Sequence, residues 1–194
     1  MLDAAEMLVA AKGFDSVSIR DVTGAAKANV AAVNYHFGSR EGLLALVMTH
    51  VLEPLCAERI ALLEAEGKQI SVEQAVAAYV NALAPAAARM GMDAPLFFRL
   101  AGRIQCLPEE TLPEALRGAC RDVTQQFLAV LPKDLADDWA FFEAGLAQSL
   151  VEEADSNNIA TLMRRWITFG VRGLGETAQK KKKKNDPQDL LFDF

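Results

Sequence analysis

The 194-residue sequence predicts an all-α protein in which a three-helix N-terminal unit, containing a helix-turn-helix, precedes a larger helical domain. Three observations predict it. The chain is 52% hydrophobic and 24% charged with few aromatic residues, a composition that supplies a core and excludes disorder for most of its length. Apolar residues recur at helical rather than strand spacing. Capping patterns, Ser18 with Asp21 and Ser71 with Gln74, mark where helices open.

The same composition bounds function. Apolar runs are broken by Glu, Arg or Asp well before the ~20 residues of a membrane span, and no basic-then-apolar leader is visible, so a cytoplasmic protein without a membrane partner is expected. Cys56, Cys106 and Cys120 are widely spaced and odd in number, which suggests buried free thiols, with no disulfide framework or zinc site. A net charge of −6 argues against coating nucleic acid non-specifically, so any nucleic-acid contact is local. Nucleophile-elbow, zinc-protease and phosphate-loop patterns are absent, and no enzyme activity, metal or cofactor is expected.

Taken in order, Leu2, Ala5, Leu8 and Val9 define a first helix ending at Lys12, where Gly13 supplies a left-handed cap. Ser18 and Asp21 cap a second, Ile19 to Ala26, with Val22 and Ala25 facing inward. Asn29 is a strong N-cap and starts a third, Val30 to Phe37. This helix is too short to stand alone, since isolated helices need roughly 12 to 15 residues even for marginal stability. Val33 and Phe37 share one face and Ala31, Asn34 and Tyr35 the other. Two such helices joined by a short turn have helix-turn-helix proportions, though an ordinary amphipathic pair has them too. Gly38 then breaks the chain, Ser39 caps the next helix, and Arg40 falls in its first turn, where free N–H groups and a guanidinium suit a phosphate.

Residues 1 to about 50 resemble the DNA-binding domain of the TetR family of bacterial transcriptional regulators. The stretches that carry the resemblance are Leu2-Asp3-Ala4-Ala5-Glu6, Lys12-Gly13-Phe14, Ser18-Ile19-Arg20-Asp21-Val22, and Asn34 through Leu44. The Asn-Tyr-His-Phe-Gly-Ser form is similar to a subgroup that includes fatty-acid-responsive regulators. The resemblance implies operator DNA as partner, with Tyr35 and Arg40 on phosphates, Ala31, Ala32 and Asn34 at base edges, and Lys27, Asn29 and His36 also in the DNA-binding set. Lys27 stands where the family commonly has glycine, and a side chain there disfavours the usual left-handed turn. Residues 1–50 hold four cations against five carboxylates, but Lys27 and Arg40 flank the third helix.

Beyond Arg40 an apolar helix runs through Leu43, Leu44, Val47, Val51 and Leu55 toward Leu63, with Pro54 expected to bend it. A helix from Ser71 passes Val76, Val80 and Leu83 toward Met90, again with an interior Pro85. Phe97, Phe98 and Phe127 fall at helical spacing and suit either plain core or, as the resemblance implies, an effector pocket. Arg99 and Arg103, beside that apolar cluster, suit the anionic head group of a hydrophobic small-molecule effector. Trp139, Phe142, Leu146 and Leu150 form one stripe, and Leu162 and Trp166 belong to another. The resemblance implies that the last two helices pair across a two-fold axis, giving a homodimer, with Gly145, Gly170 and Gly173 permitting close approach.

The domains expected are therefore residues 1–45 for DNA, 46–177 for effector and dimerisation, and 178–194 as a flexible lysine-rich tail. Lys180 to Lys184 reads as a solvated linker. Gln188-Asp189-Leu190-Leu191-Phe192 resembles the short peptide by which bacterial replication and repair proteins bind the sliding clamp, through Gln188, Leu191 and Phe192; a tail folded back on its own domain is the alternative. The reading that results is a dimeric, ligand-responsive transcriptional regulator acting as a repressor, with a protein-interaction module as the competing class.

Overall fold

The computed structural model describes residues 1–67, 69–155 and 158–184, leaving aside the side chains of residues 32–34 and 176–184. Among the described residues the regular structure is helical throughout, and no helix is long and apolar enough to cross a membrane.

Helices α1 (Leu2–Lys12), α2 (Ile19–Ala26) and α3 (Val30–Phe37) have the spans that their caps and periodicity predict. Ser18 accepts from the Asp21 N–H at 3.2 Å while Asp21 accepts from the Ser18 N–H at 3.0 Å, which closes the expected capping box. Ala25 is exposed, so the inward face of α2 rests on Val22 and Thr23 instead. Lys27 takes the left-handed conformation, φ 51 and ψ 39, despite its side chain. The turn geometry prevails because the Ala28 N–H closes onto the Thr23 carbonyl at 2.9 Å. A non-glycine residue in this region costs on the order of 1 kcal/mol.

The long α4 (Arg40–Ala65) opens on Ser39, whose Oγ accepts from the Gly42 N–H at 3.0 Å, and continues through Pro54. The helix expected from Ser71 to Met90 divides at Ala82 into α5 (Val72–Asn81) and α6 (Leu83–Arg89). Pro85 explains the division, since its ring opposes the carbonyl of Asn81 and it offers no N–H. Then follow α7 (Ala94–Gln105), α8 (Glu114–Val130), α9 (Ala136–Glu153) and α10 (Ile159–Lys184), with single 3₁₀ turns before α8 and α9. The lysine run expected as a linker has helical backbone through Lys184. Lysine is a good helix former, and cations at a helix C-terminus complement its dipole.

One continuous apolar core joins the N-terminal unit to the body. α1 packs on both α4 and α7, α7 on α9, α4 on α8, and α5 on α10. Tyr79 lies at the centre of an aromatic cluster, edge-on to Phe127 at 5.2 Å and Trp139 at 5.1 Å between ring centres. Phe142 continues that cluster to Trp166 at 5.8 Å. Two glycines set the α9–α10 spacing within the chain: a Cβ on Gly145 would lie 2.8 Å from the Trp166 ring, and one on Gly170 2.7 Å from the Phe142 ring. Gly173 faces open space, so the close approach expected between subunits is made inside one chain at two of the three positions.

Candidate nucleic-acid interface and ligand cavity

α3 is held from both ends. At its start the Asn29 Oδ1 accepts from the Ala31 N–H at 3.0 Å, and at its end Gly38 turns at φ 72 into the Ser39 cap. A Cβ on Gly42 would strike the Phe37 carbonyl, so the α3–α4 corner closes only over a glycine. The outer face of α3 carries Val30, Ala31, Tyr35 and His36, all exposed, with Tyr35 86% exposed. Lys27 and Asn29 are exposed beside it. The side chains of Ala32 and Asn34 lie outside the described residues.

Arg40 departs from the phosphate anchor expected of it. Its Nε donates to the Val17 carbonyl at 2.7 Å and its Nη2 to the Phe14 carbonyl at 2.6 Å, while Nη1 stands 3.7 Å from Glu41. The guanidinium clamps the α1–α2 turn to the start of α4. The Phe14 carbonyl, which otherwise holds only a long 3.5 Å bond from the Val17 N–H, and the Val17 carbonyl are met by the nearest fork of donors.

The apolar cavity of the body, about 510 Å³, lies among α4, α5, α7, α8 and α9. Leu52, Ile104, Leu107 and Val123 give it apolar walls, and Arg59, Arg117, Arg121, Glu109 and Glu143 its charges. None of the five expected ligand residues lines it. Phe97, Phe98 and Phe127 are fully buried core. Arg99 donates from Nη2 to the Ala154 carbonyl at 2.7 Å, and Arg103 from Nε to the Ala10 carbonyl at 2.9 Å, so both are spent on helix C-terminal ends. The buried cation of the cavity is Arg59, 4% exposed, whose guanidinium lies 3.5 Å from the centre of the Tyr79 ring and donates from Nη1 to Gln105 at 3.0 Å. Its Nε and Nη2, one edge of the fork, have no hydrogen-bond partner among the described residues. Burial drives the Tyr79 hydroxyl well above its ordinary pKa, with Glu143 adding to the shift and Arg59 opposing it. Arg59 was legible in principle: it sits in the i+4 register of Val51, Leu55 and Leu63, an arginine on a buried stripe.

The expected dimer residues Trp139, Phe142, Leu146, Leu150 and Leu162 are all buried within the chain, and Trp166 is half-buried against Phe142. Their stripes serve the core of a single chain. The large apolar side chains that α9 and α10 do expose are Phe141, 74% exposed, and Phe169, 50% exposed. Phe169 borders a groove of about 810 Å³ on α10, with Trp166, Arg164, Arg165 and Arg172. Gln188, Leu191 and Phe192, the expected clamp peptide, lie outside the described residues.

A helix-turn-helix at the head of an all-α body is an architecture found among DNA-binding regulators. Residues 1–47 match the family model described as bacterial regulatory proteins, tetR family, and the chain as a whole has a TetR-like fold. Among solved structures it is similar to the TetR family transcriptional regulator PfmR from Thermus thermophilus, with 19% identity, a TM-score of 0.60, and coverage of 89% of this chain and 97% of that one. A bacterial regulatory protein in the tetR family from Rhodococcus RHA1 gives 15% identity, a TM-score of 0.60, and coverage of 89% and 94%. The multidrug binding protein EbrR, complexed with imidazole, gives 20%, 0.51, and coverage of 85% and 86%. No curated relative matches the chain in sequence.

Proposed function

We propose that this protein is a ligand-responsive transcriptional repressor that binds operator DNA as a homodimer through α3. The observation that carries the reading is the capped, eight-residue α3, which holds Val30, Ala31, Tyr35 and His36 in solvent at no benefit to the core. Small residues near its start allow close approach to a major groove, and Tyr35 and Lys27 can reach phosphates on either side. Arg40 supports this indirectly, by fixing the angle between the head and α4.

The effector we assign to the α4–α8 cavity is a hydrophobic anion, an acyl compound being the natural first candidate. Apolar walls with Arg59 and Arg117 nearby support that class, Arg121 being paired with Glu109, and EbrR, similar in fold, is a multidrug binding protein. The dimer surface we assign to the outer faces of α9 and α10, where Phe141 and Phe169 are exposed.

Selection of fragments from a genomic pool by the purified protein tests the reading. A single enriched sequence with two half-sites is expected, bound with an affinity that falls with salt by about 0.9 log unit per log unit of salt for each phosphate neutralised. Absence of any enriched sequence refutes it. Phe169→Asp should give monomers with weakened operator binding, and a wild type that is monomeric at micromolar concentration removes the dimer.

A further inference from the structure

The cavity wall contains a pair of thiols that ligand binding does not call for. Cys56 on α4 and Cys120 on α8 hold their Sγ atoms 3.9 Å apart, and both face the cavity. Cys56 is buried and Cys120 only half-buried, so a small molecule that enters the cavity reaches Cys120 first. The third cysteine, Cys106, is exposed at the end of α7, with its thiol toward Gln148 at 3.7 Å, and belongs to a different neighbourhood.

The surroundings differentiate the two sulfurs. Arg59 follows Cys56 by one turn of α4, and its guanidinium is buried with an unfilled Nε–Nη2 edge. A buried cation with donors to spare favours an anion nearby. Cys120 is held below the ordinary thiol pKa, first by the hydrogen bond with Cys56 and then by Arg59, against burial and the more weakly acting Glu143 and Glu109. Cys56 is pushed the other way by the same hydrogen bond and by burial. One thiol is thus suited to attack as thiolate, and its neighbour to stay protonated and resolve.

We propose that Cys56 and Cys120 are an oxidisable pair, a modification site in the cavity wall that a hydroperoxide converts to a disulfide between α4 and α8. The Cys120 thiolate attacks the distal oxygen of the hydroperoxide. The S–O bond forms as the O–O bond breaks, and the leaving oxygen departs with a proton as water or alcohol. The Cys56 sulfur then attacks the Cys120 sulfenic acid; the S–S bond forms, the S–O bond breaks, and the Cys56 proton leaves with the hydroxyl as water. With hydrogen peroxide the sum is two thiols and one peroxide to one disulfide and two waters. Since a disulfide requires about 2.05 Å between sulfurs, the pair must close by about 2 Å, which draws α8 and α4 together or turns both side chains inward. The consequence for DNA rests on the function proposed above: α4 leads directly into the helix-turn-helix, so the cross-link changes operator affinity.

The test uses the full chain carrying Cys106→Ser, treated with hydrogen peroxide and read by intact mass and peptide mapping. Loss of two hydrogens with a Cys56–Cys120 peptide link, reversed by dithiothreitol, is expected. Adding Cys56→Ser should arrest the chemistry at a Cys120 sulfenic acid that dimedone traps, and adding Cys120→Ser should leave the protein unreacted on the same timescale. No cross-link, or dimedone labelling of Cys56 in the Cys120→Ser protein at the rate seen for Cys120, overturns the proposal. Oxidised protein should bind its selected operator about tenfold or more differently from reduced protein, within the range usual for coupled sites. Equal affinity of the two forms overturns the regulatory consequence. Failure of the reduced protein to select any DNA refutes the proposed function instead, while the mass readout still decides the thiol chemistry.

Discussion

Arg103→Ala tests whether the head is tied to the body by hydrogen bonds as well as by apolar packing. Arg103 on α7 donates from Nε to the Ala10 carbonyl at 2.9 Å and from Nη2 to the Ala11 carbonyl at 3.3 Å, both among the carbonyls that the end of α1 leaves unpaired. The first bond is part-buried and charge-assisted, a class that contributes about 1.5–3 kcal/mol. The second is long and exposed, and adds little. Placing the cation at a helix C-terminus is worth about 0.3–1 kcal/mol more. Solvent screening and water that replaces the lost donors reduce the sum, and about 2 kcal/mol is the expected loss. For a chain of this size that lowers Tm by about 4–8 °C. Scanning fluorimetry on the wild type, Arg103→Ala and Arg103→Lys is the assay. Arg103→Lys, which keeps the charge and loses the fork, should fall between the other two. An Arg103→Ala protein that melts with the wild type would refute the assignment of this contact as a tie.

Three further outcomes follow from the head itself. Arg40→Ala should cost about 2–3 kcal/mol, because two short charge-assisted bonds to Phe14 and Val17 are lost; a mutant of wild-type stability but weakened DNA binding would return Arg40 to the phosphate role. Tyr35→Ala should leave Tm unchanged, since the side chain is 86% exposed and meets the His36 ring only edge-on, and should weaken operator binding at least severalfold in a gel-shift titration. Asp21 is held below the usual carboxylate range by the Ser18 hydroxyl and the Ser18 N–H, so its contribution to stability is present at neutral pH and lost as pH falls through that lowered value. Melting curves of wild type and Asp21→Asn should therefore converge in acid, and a constant gap across the titration would show that the capping box is not the source.

Helix starts were legible in the sequence; the turn conformations at Gly13 and Lys27, and the docking of the helices, were not. The capping boxes at Ser18 and Ser71, the Asn29 cap and the Gly38 break act within four residues, and the helices they open begin where expected, although the one from Ser71 ends early at Asn81. The fates of Arg40, Arg99 and Arg103 could not be read, because each donates to carbonyls 23 to 93 residues away, exposed only by how the helices dock. A stripe such as Trp139, Phe142, Leu146 and Leu150 gives the same periodic signal whether it meets its own chain or another, and burial assigned it to its own. The cavity takes isolated residues from five helices, so no contiguous motif announces it; the visible trace was Arg59 in an otherwise apolar register.

The two connections from body to head differ in how freely they can move, and that difference predicts where motion occurs. α7 is pinned to α9 at Gly102, where a Cβ would lie 2.5 Å from the Ala147 carbonyl oxygen and 2.9 Å from the Leu150 Cβ. The next residue, Arg103, grips α1, so α7 serves as a fixed pivot for the head. α4 instead meets α8 across the cavity and the thiol pair, the contact whose filling a ligand or an oxidant would change. A shift of α4 against a fixed α7 rotates the head about the end of α1. Gly102→Ala should accordingly destabilise by about 1–3 kcal/mol, because backbone and packed side chain must both give way. Where the variant still folds, the pivot is displaced and the ligand-induced change in operator affinity should shrink toward unity, while binding of ligand to the cavity, followed by calorimetry, changes little. Wild-type stability and undiminished coupling in Gly102→Ala would mean that α7 is not the fixed element, and that the head is carried by α4 and the apolar core alone.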